Sequence, residues 1–533
     1  MMKIHTTSRR PSSQFSVLSS HISVLTSHFS LLTLLLLGIT AGCAMKPSPA
    51  VSARPAAATG IPDRPEKLTY PPLVYNAPLP ADARVKLDAG PIAYIVPDRS
   101  RPLINIVICV RAPGYAVPAD KEPLGELLAG LLTQGGTQSK TAEQLEERLD
   151  FLAANFGVNA TDTHMKVHLN LLSRDLDEGL AILREALTAP RLQEDRLALL
   201  KQQELQSMKE RNDDPADIER RERGFLAYGQ SFFTNHYSTA TSLDSITRDD
   251  LLAFHHRFFH PANMVLAVSG DFDRAAMQAK LEAFLKDWPI KGETAGAVPT
   301  DTAFAAPGLY IVDKPDVSQG RVDVMLPGVR RDNPDYYAIT LMNDVLGGGG
   351  FTSRITKKVR SDEGLAYHAA SMFPGGTYYP SVFAAVFQSK SRTVAYGTSL
   401  VVEELKRIAA APVSDQELHT AKRSFIDAFP GRFATADSVA DTFAEDEFTG
   451  RYAADPDYWK NYRSKIDAVT KEDLQRVAQK YLTPDKVVIL VVGPKEEMLK
   501  GHPDHPVKLE SLSKGPMTDV PLRDPLTMQP LKK

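Results

Sequence analysis

Ile246-Thr247-Arg248-Asp249-Asp250-Leu251 and Val469-Thr470-Lys471-Glu472-Asp473-Leu474 are one pattern written twice, 223 residues apart. In each copy a threonine precedes two acids, the arrangement that caps a helix and complements its dipole. The register continues downstream. Pro261 matches Pro484 and Gly270 matches Gly493, again at 223 residues. Between them run Met264-Val265-Leu266-Ala267-Val268 and Val487-Val488-Ile489-Leu490-Val491, short apolar runs of strand type. Upstream, Leu187-Thr188-Ala189-Pro190 matches Ala409-Ala410-Ala411-Pro412 at 222 residues. Each copy therefore reads as helix, turn, strand, and the chain as two similar α/β domains in tandem.

Nearer the N-terminus, Ala89-Gly90-Pro91 separates Arg84–Asp88 from Ile92–Val96, which reads as a hairpin. Ile104–Val110 is the next strand, and Cys109 within it reads as a packed thiol. Helices are expected over about 125–133 and 142–155 in the first half. In the second, a strand is expected over 322–326 and a helix over 336–346. The domains are placed at 81–298 and 299–500, with a tail at 501–533.

Ahead of residue 81 the chain has another character. Lys3, Arg9 and Arg10 precede an apolar stretch, Leu31-Leu32-Thr33-Leu34-Leu35-Leu36-Leu37-Gly38-Ile39, too short to span a bilayer comfortably. It leads into Thr40-Ala41-Gly42-Cys43, which resembles a bacterial lipobox, with Thr40 where Leu is more usual. Residues 1–42 read as a lipoprotein signal, Cys43 as the lipidated residue, and the Pro/Ala-rich 43–80 as a tether. The expected location is the bacterial cell envelope, anchored by lipid and facing the periplasm, with the outer membrane favoured.

Composition is that of a globular protein: 533 residues, 43% hydrophobic and 24% charged. The net charge is −3 and becomes −6 without the basic signal, which argues against nucleic acid as a partner. Two cysteines exclude a disulfide framework and a cysteine-rich zinc site.

The chain resembles the insulinase/pitrilysin family of zinc peptidases, in the short-chain branch with mitochondrial processing peptidase. The stretches that carry the resemblance are Leu124–Thr137, Asn263–Asp271, Leu346–Ile355 and Val359–Tyr367. It covers about residues 80–500. It implies an α+β fold of two homologous domains, each a mainly antiparallel mixed sheet packed with helices. Active members carry H-x-x-E-H on the first helix, where two histidines on one face hold zinc and the glutamate activates water. Here Glu126 stands for the first histidine, Ala129 for the glutamate and Gly130 for the second histidine. The later glutamate ligand falls at Ser207, with Glu204 the nearest acid. Three protein ligands are the usual minimum for catalytic zinc, so no zinc is expected in this chain.

The second half keeps the pattern Arg360-x-x-x-Gly364-Leu365-Ala366-Tyr367. The resemblance gives Arg360 and Tyr367 the role of positioning substrate: a guanidinium for peptide carbonyls and a phenol for the developing oxyanion. The competing reading pairs Arg360 with Asp362 or Glu363 and buries Tyr367. Gly347–Gly350 end a helix; by resemblance to the family's Gly-rich turn, with Gly348 and Gly349, the backbone there approaches substrate or the partner chain. His255, His256 and His260 are a rival metal candidate, against which stands the favoured reading of a surface and end-of-helix cluster before Pro261. His256 and His260 are spaced to share a helical face but have no carboxylate beside them.

The features fit three functions. The first is a non-catalytic subunit that walls the peptide chamber and positions unfolded peptide for a zinc-bearing partner of the same family. The second is a lipid-anchored binding or assembly scaffold. The third is an active zinc peptidase with unrecognised ligands.

Overall fold

The computed structural model describes residues 75–531, together with Arg64, Lys67 and Leu68. The signal segment, Cys43 and most of the tether lie outside the described residues. The two halves of the sequence repeat both fall within one compact unit, Val74–Lys533. No helix among the described residues is long and apolar enough to cross a membrane.

Two six-stranded sheets form the frame. The first contains β1 (Arg84–Lys86), β2 (Ile92–Pro97), β3 (Leu103–Val110), β4 (Asn155–Ala160), β5 (Met165–Leu172) and β6 (Met264–Gly270), in the order β1-β2-β6-β3-β5-β4. The second half opens with β7 (Gly308–Asp313), β8 (Gln319–Pro327) and β9 (Val329–Arg330). It continues with β10 (Ala369–Met372), β11 (Gly375–Gly376), β12 (Val382–Lys390), β13 (Val488–Gly493) and β14 (Met517–Asp519). The second sheet runs β10-β12-β8-β13-β7-β14, while β9 and β11 form a small ribbon.

The pairings repeat with the sequence. β2 runs parallel to β6, and β7 parallel to β13; the other pairings inside each sheet are antiparallel, except at the β14 edge. β14, from the tail, adds to β7 in parallel, so residues 501–533 complete the second sheet. Both helix starts close as capping boxes: Thr247 with Asp250 and Thr470 with Asp473. The helices Arg248–Phe258 and Lys471–Tyr481 then lead through short turns into β6 and β13.

Element ends depart from the sequence expectation in two places. The helix beginning at Ala142 stops at Phe151, because Asn155 already starts β4. The helix from Tyr336 is α-helical to Asn343 and widens into a π-turn over Asp344–Gly348. There Asn343 and Ser371 exchange hydrogen bonds, and a Cβ on Gly347 would stand 2.5 Å from the Ser371 nitrogen. Only glycine lets the helix end lie this close to β10.

β6 and β13 are buried nearly throughout, as their unbroken apolar runs require of strands covered on both faces. One face of each sheet packs on helices of its own half. The other face is covered by a helix from the opposite half. Ala436–Phe448 lies across β2, β3 and β6, and its Phe443 and Phe448 meet Tyr94, Val107 and Val265. Reciprocally, Pro215–Tyr228 lies on β8 and β13, with Ile218 against Met325, Val488 and Leu490. Polar links reinforce the crossing. Arg84 and Tyr94 both bond Glu447, and Arg223 reaches the fully buried Asp323. The two halves are therefore not separable at the linker near residue 298; each supplies the other's outer layer.

Candidate functional site

The helix Leu124–Gln134 buries Leu127, Leu128, Leu131 and Leu132 in the first core, which turns Glu126 outward. Glu126 opens onto a narrow recess that also carries Glu122, Asp162 and His236. Burial lifts the Glu126 carboxyl above its usual range, and the charges of Glu204 and Asp162 add to this. Burial also pushes Glu122 up to about 8, with Glu126 and Asp162 contributing. These groups repel one another in a confined place; they do not converge on a point. None belongs to a trio of metal-binding side chains within mutual ligand distance among the described residues.

The facing helix, Glu194–Lys209, explains the rest of the motif. A Cβ on Gly130 would stand 3.0 Å from Leu200 Cδ1, so the space of a second histidine is taken by leucine. One turn along, Glu204 accepts a hydrogen bond from Ser238 at 3.0 Å and pairs with Arg211 at 3.5 Å. Ser207 is exposed. The acid that faces the motif is thus Glu204 and not a residue at 207; which turn faces which is set by helix packing, not by counting. The positions offer one carboxylate, a methyl group, a bare backbone and a second carboxylate already held by a guanidinium. Catalytic zinc does not fit this set.

The histidine cluster is structural. Its helix ends at Phe258, so His256 and His260 do not share a helical face. His255 and His260 point their Nε2 atoms at the Leu187 and Glu293 carbonyls, at 3.1 and 3.0 Å. Burial brings the His255 pKa down to about 4.

The Arg/Tyr segment is organised differently. Gly350, at φ +63°, turns the chain out of the π-turn into Gly350–Thr352, followed by the short helix Arg354–Thr356 and a second π-turn, Lys357–Asp362. Arg354 clamps this segment to Glu417 through two bonds of 2.7 and 3.0 Å, which hold the Glu417 carboxyl down at about 2. Lys358 takes Glu363 at 2.9 Å. Among the described residues no carboxylate pairs with Arg360. Its guanidinium instead lies 4.4 Å from the Phe351 ring centre and 4.8 Å from that of Tyr367. Phe351 is 69% exposed and Tyr367 86% exposed. The guanidinium thus makes cation–π contact with two exposed rings rather than an ion pair. Nothing in the packing of the core demands this arrangement.

Phe351 is the residue that sequence reasoning passed over. It follows the glycine run directly, but its meeting with Arg360 depends on two intervening turns. Gly348 lies elsewhere: with Asp344 it lines a groove bordered by Ser424, Phe425, Arg432 and Tyr462. Burial pushes Asp344 up to about 6. A Cβ on Gly349 would stand 2.7 Å from the Asp344 carbonyl oxygen, so this glycine serves the turn.

Paired sheets with exchanged helices, a zinc-motif helix without ligands and an Arg/Tyr segment define a peptidase-like shell. Comparison with known proteins agrees. Residues 245–425 match the family described as peptidase M16 inactive domain. An uncharacterized zinc protease of Mycobacterium leprae is 24% identical over 375 residues, 67% of this chain and 80% of the relative. The non-peptidase homolog YmxG of Helicobacter pylori is 25% identical over 341 residues, 61% of this chain and 74% of the relative. Among solved structures, a peptidase M16 inactive domain from Pseudomonas fluorescens superposes with a TM-score of 0.68 at 23% identity. It covers 77% of this chain and 98% of its own. These matches support a chain similar to the insulinase (peptidase M16) family, with an inactive-type domain matched over residues 245–425.

Proposed function

We propose that this chain is the non-catalytic subunit of a heteromeric insulinase-family peptidase. It walls the chamber and positions unfolded peptide, while a zinc-bearing relative supplies the metal and the hydrolytic water. The observation that carries this reading is the contrast between its two family segments. The metal segment has lost its donors and filled the gap with Leu200. The substrate segment presents Arg360, half-buried against the exposed rings of Phe351 and Tyr367 and without a carboxylate partner among the described residues. A guanidinium edge suits peptide carbonyls, and flanking rings suit apolar side chains.

The test is reconstitution with a zinc-bearing family member from the same cell. Addition of this chain should raise kcat/KM on an unfolded peptide. Arg360→Ala and Tyr367→Phe should each lower that gain by about tenfold or more, on the scale of losing one charged or oxyanion hydrogen bond. Unchanged cleavage with or without the chain refutes the reading and favours a binding scaffold, for which the kinship with a protein named a non-peptidase homolog speaks. Chelator-sensitive cleavage by this chain alone, with zinc bound, refutes both.

The place of action in this proposal is the cell envelope, through lipidation of Cys43. A Cys43→Ser variant should leave the membrane fraction; recovery there in full would refute the anchor.

A further inference from the structure

Away from both family segments, three unlike donors meet where the halves cross. Cys109 sits in the middle of the first sheet, 2% exposed, opposite Lys166 on β5 and Val265 on β6. His164 stands at the entry to β5. Glu445 comes from the second half, on the helix Ala436–Phe448 that covers this sheet. The Cys109 sulfur, a ring nitrogen of His164 and a carboxylate oxygen of Glu445 all lie within 4.8 Å of one another.

The surroundings prepare the histidine. Its Nδ1 lies 3.1 Å from the hydroxyls of Thr161 and Thr163. Thr161 gives its own proton to the His164 carbonyl at 2.8 Å and accepts the His164 backbone N–H at 3.1 Å, which fixes the turn that carries the ring. Hydrogen bonds to one ring nitrogen orient the imidazole, as they do in metal-bound histidines. The cations that face the cluster are engaged: Lys166 pairs with Asp441 at 3.4 Å, and Arg111 bonds the Phe448 carbonyl at 2.7 Å while lying over its ring.

We propose that Cys109, His164 and Glu445 form a binding site for a borderline transition-metal ion of the Zn²⁺ or Co²⁺ class. A thiolate, an imidazole and a carboxylate select such ions over Mg²⁺ or Ca²⁺, which take oxygen ligands. Three protein ligands leave a fourth position for water. Binding releases the Cys109 thiol proton to solvent, and the thiolate with Glu445 balances the two charges of the ion. The site is not the family's catalytic zinc. Two ligands belong to the first half and one to the second, so the ion would act as a staple across the crossing and stabilise the chain in proportion to its occupancy.

Metal-free full-length protein titrated with Co²⁺ tests this. The expected result is one equivalent bound, with a thiolate-to-Co²⁺ charge-transfer band and the visible bands of a four-coordinate site. Zn²⁺ should abolish those bands and raise the unfolding midpoint. Cys109→Ser should remove the charge-transfer band, and His164→Gln and Glu445→Gln should each weaken binding tenfold or more. Urea midpoints of the metal-free variants near that of the parent separate ligand loss from misfolding; His164→Gln, at a half-buried loop position, keeps the test open if Cys109→Ser unfolds. Absence of a thiolate band, or binding indifferent to all three substitutions, overturns the proposal. The metal site and the partner role stand or fall separately, since neither Arg360 nor Tyr367 takes part.

Discussion

Phe443→Ala should unfold both halves together. Phe443 belongs to the second half of the sequence, yet its fully buried ring packs 5.8 Å from that of Tyr94 on β2 and 5.7 Å from that of Phe433. Truncating a buried phenylalanine removes its transfer energy and leaves a cavity, about 3–5 kcal/mol in all. Because the cavity opens on the first sheet, that loss should appear in amides of β2 and β3. Hydrogen exchange read by mass spectrometry, beside urea unfolding, measures it. Protection of the slowest amides in β2 and β3 should fall by roughly two to nearly four orders of magnitude, at tenfold per 1.36 kcal/mol. The control is Phe151→Ala. That ring is 76% exposed and touched by Arg148 at 4.6 Å, so the change should cost under about 1 kcal/mol. If Phe443→Ala frees only the helix Ala436–Phe448 and leaves β2 and β3 protected as before, the coupling of the halves is refuted.

Asp323 predicts a pH dependence. Burial holds its carboxyl at about 7 against Arg223's pull, its Oδ1 has no partner, and its ordinary value is 3.8. Between those values the folded chain keeps a proton that the unfolded chain has lost. Stability should therefore fall as pH rises through that window, by an amount on the order of a few kcal/mol. Urea midpoints at pH 5 and pH 8 should differ less in Asp323→Asn than in the parent; equal differences count against the assignment. Phe351→Ala and Tyr367→Ala should each lower the unfolding free energy, read from urea titration, by less than about 1 kcal/mol, since exposed rings give up only a cation–π contact. A loss of 3 kcal/mol or more, on the scale of a buried aromatic, would make the Arg360 cluster a packing feature.

The repeat was readable because it rests on local rules: a threonine cap, a proline break and an apolar run each act within a few residues. That is why the helices Arg248–Phe258 and Lys471–Tyr481 and the strands β6 and β13 stand where the pattern puts them. The crossing was not readable. An apolar helical face says that something covers it, not which sheet does. Pro215–Tyr228 hid its role further, because Glu219, Arg221 and Glu222 look like a solvated face yet are buried among Arg321 and Arg523. The zinc segment was legible as residues lost; that Leu200 occupies the gap and Arg211 holds Glu204 depends on the register between two helices. Phe351 was in plain view, but its contact with Arg360 is tertiary.

The exchanged helices also bear on ancestry and assembly. Two copies of a single repeat, each lending the helix after its long central one to the other's sheet, would make the same contacts twice. Residues 291–307, which carry no helix or strand, join those copies in this chain. The linker turns an association between two molecules into one within a molecule, at an effective concentration of about millimolar. Cut there, the halves should still find each other, because what binds them is the lent helices and not the thread between.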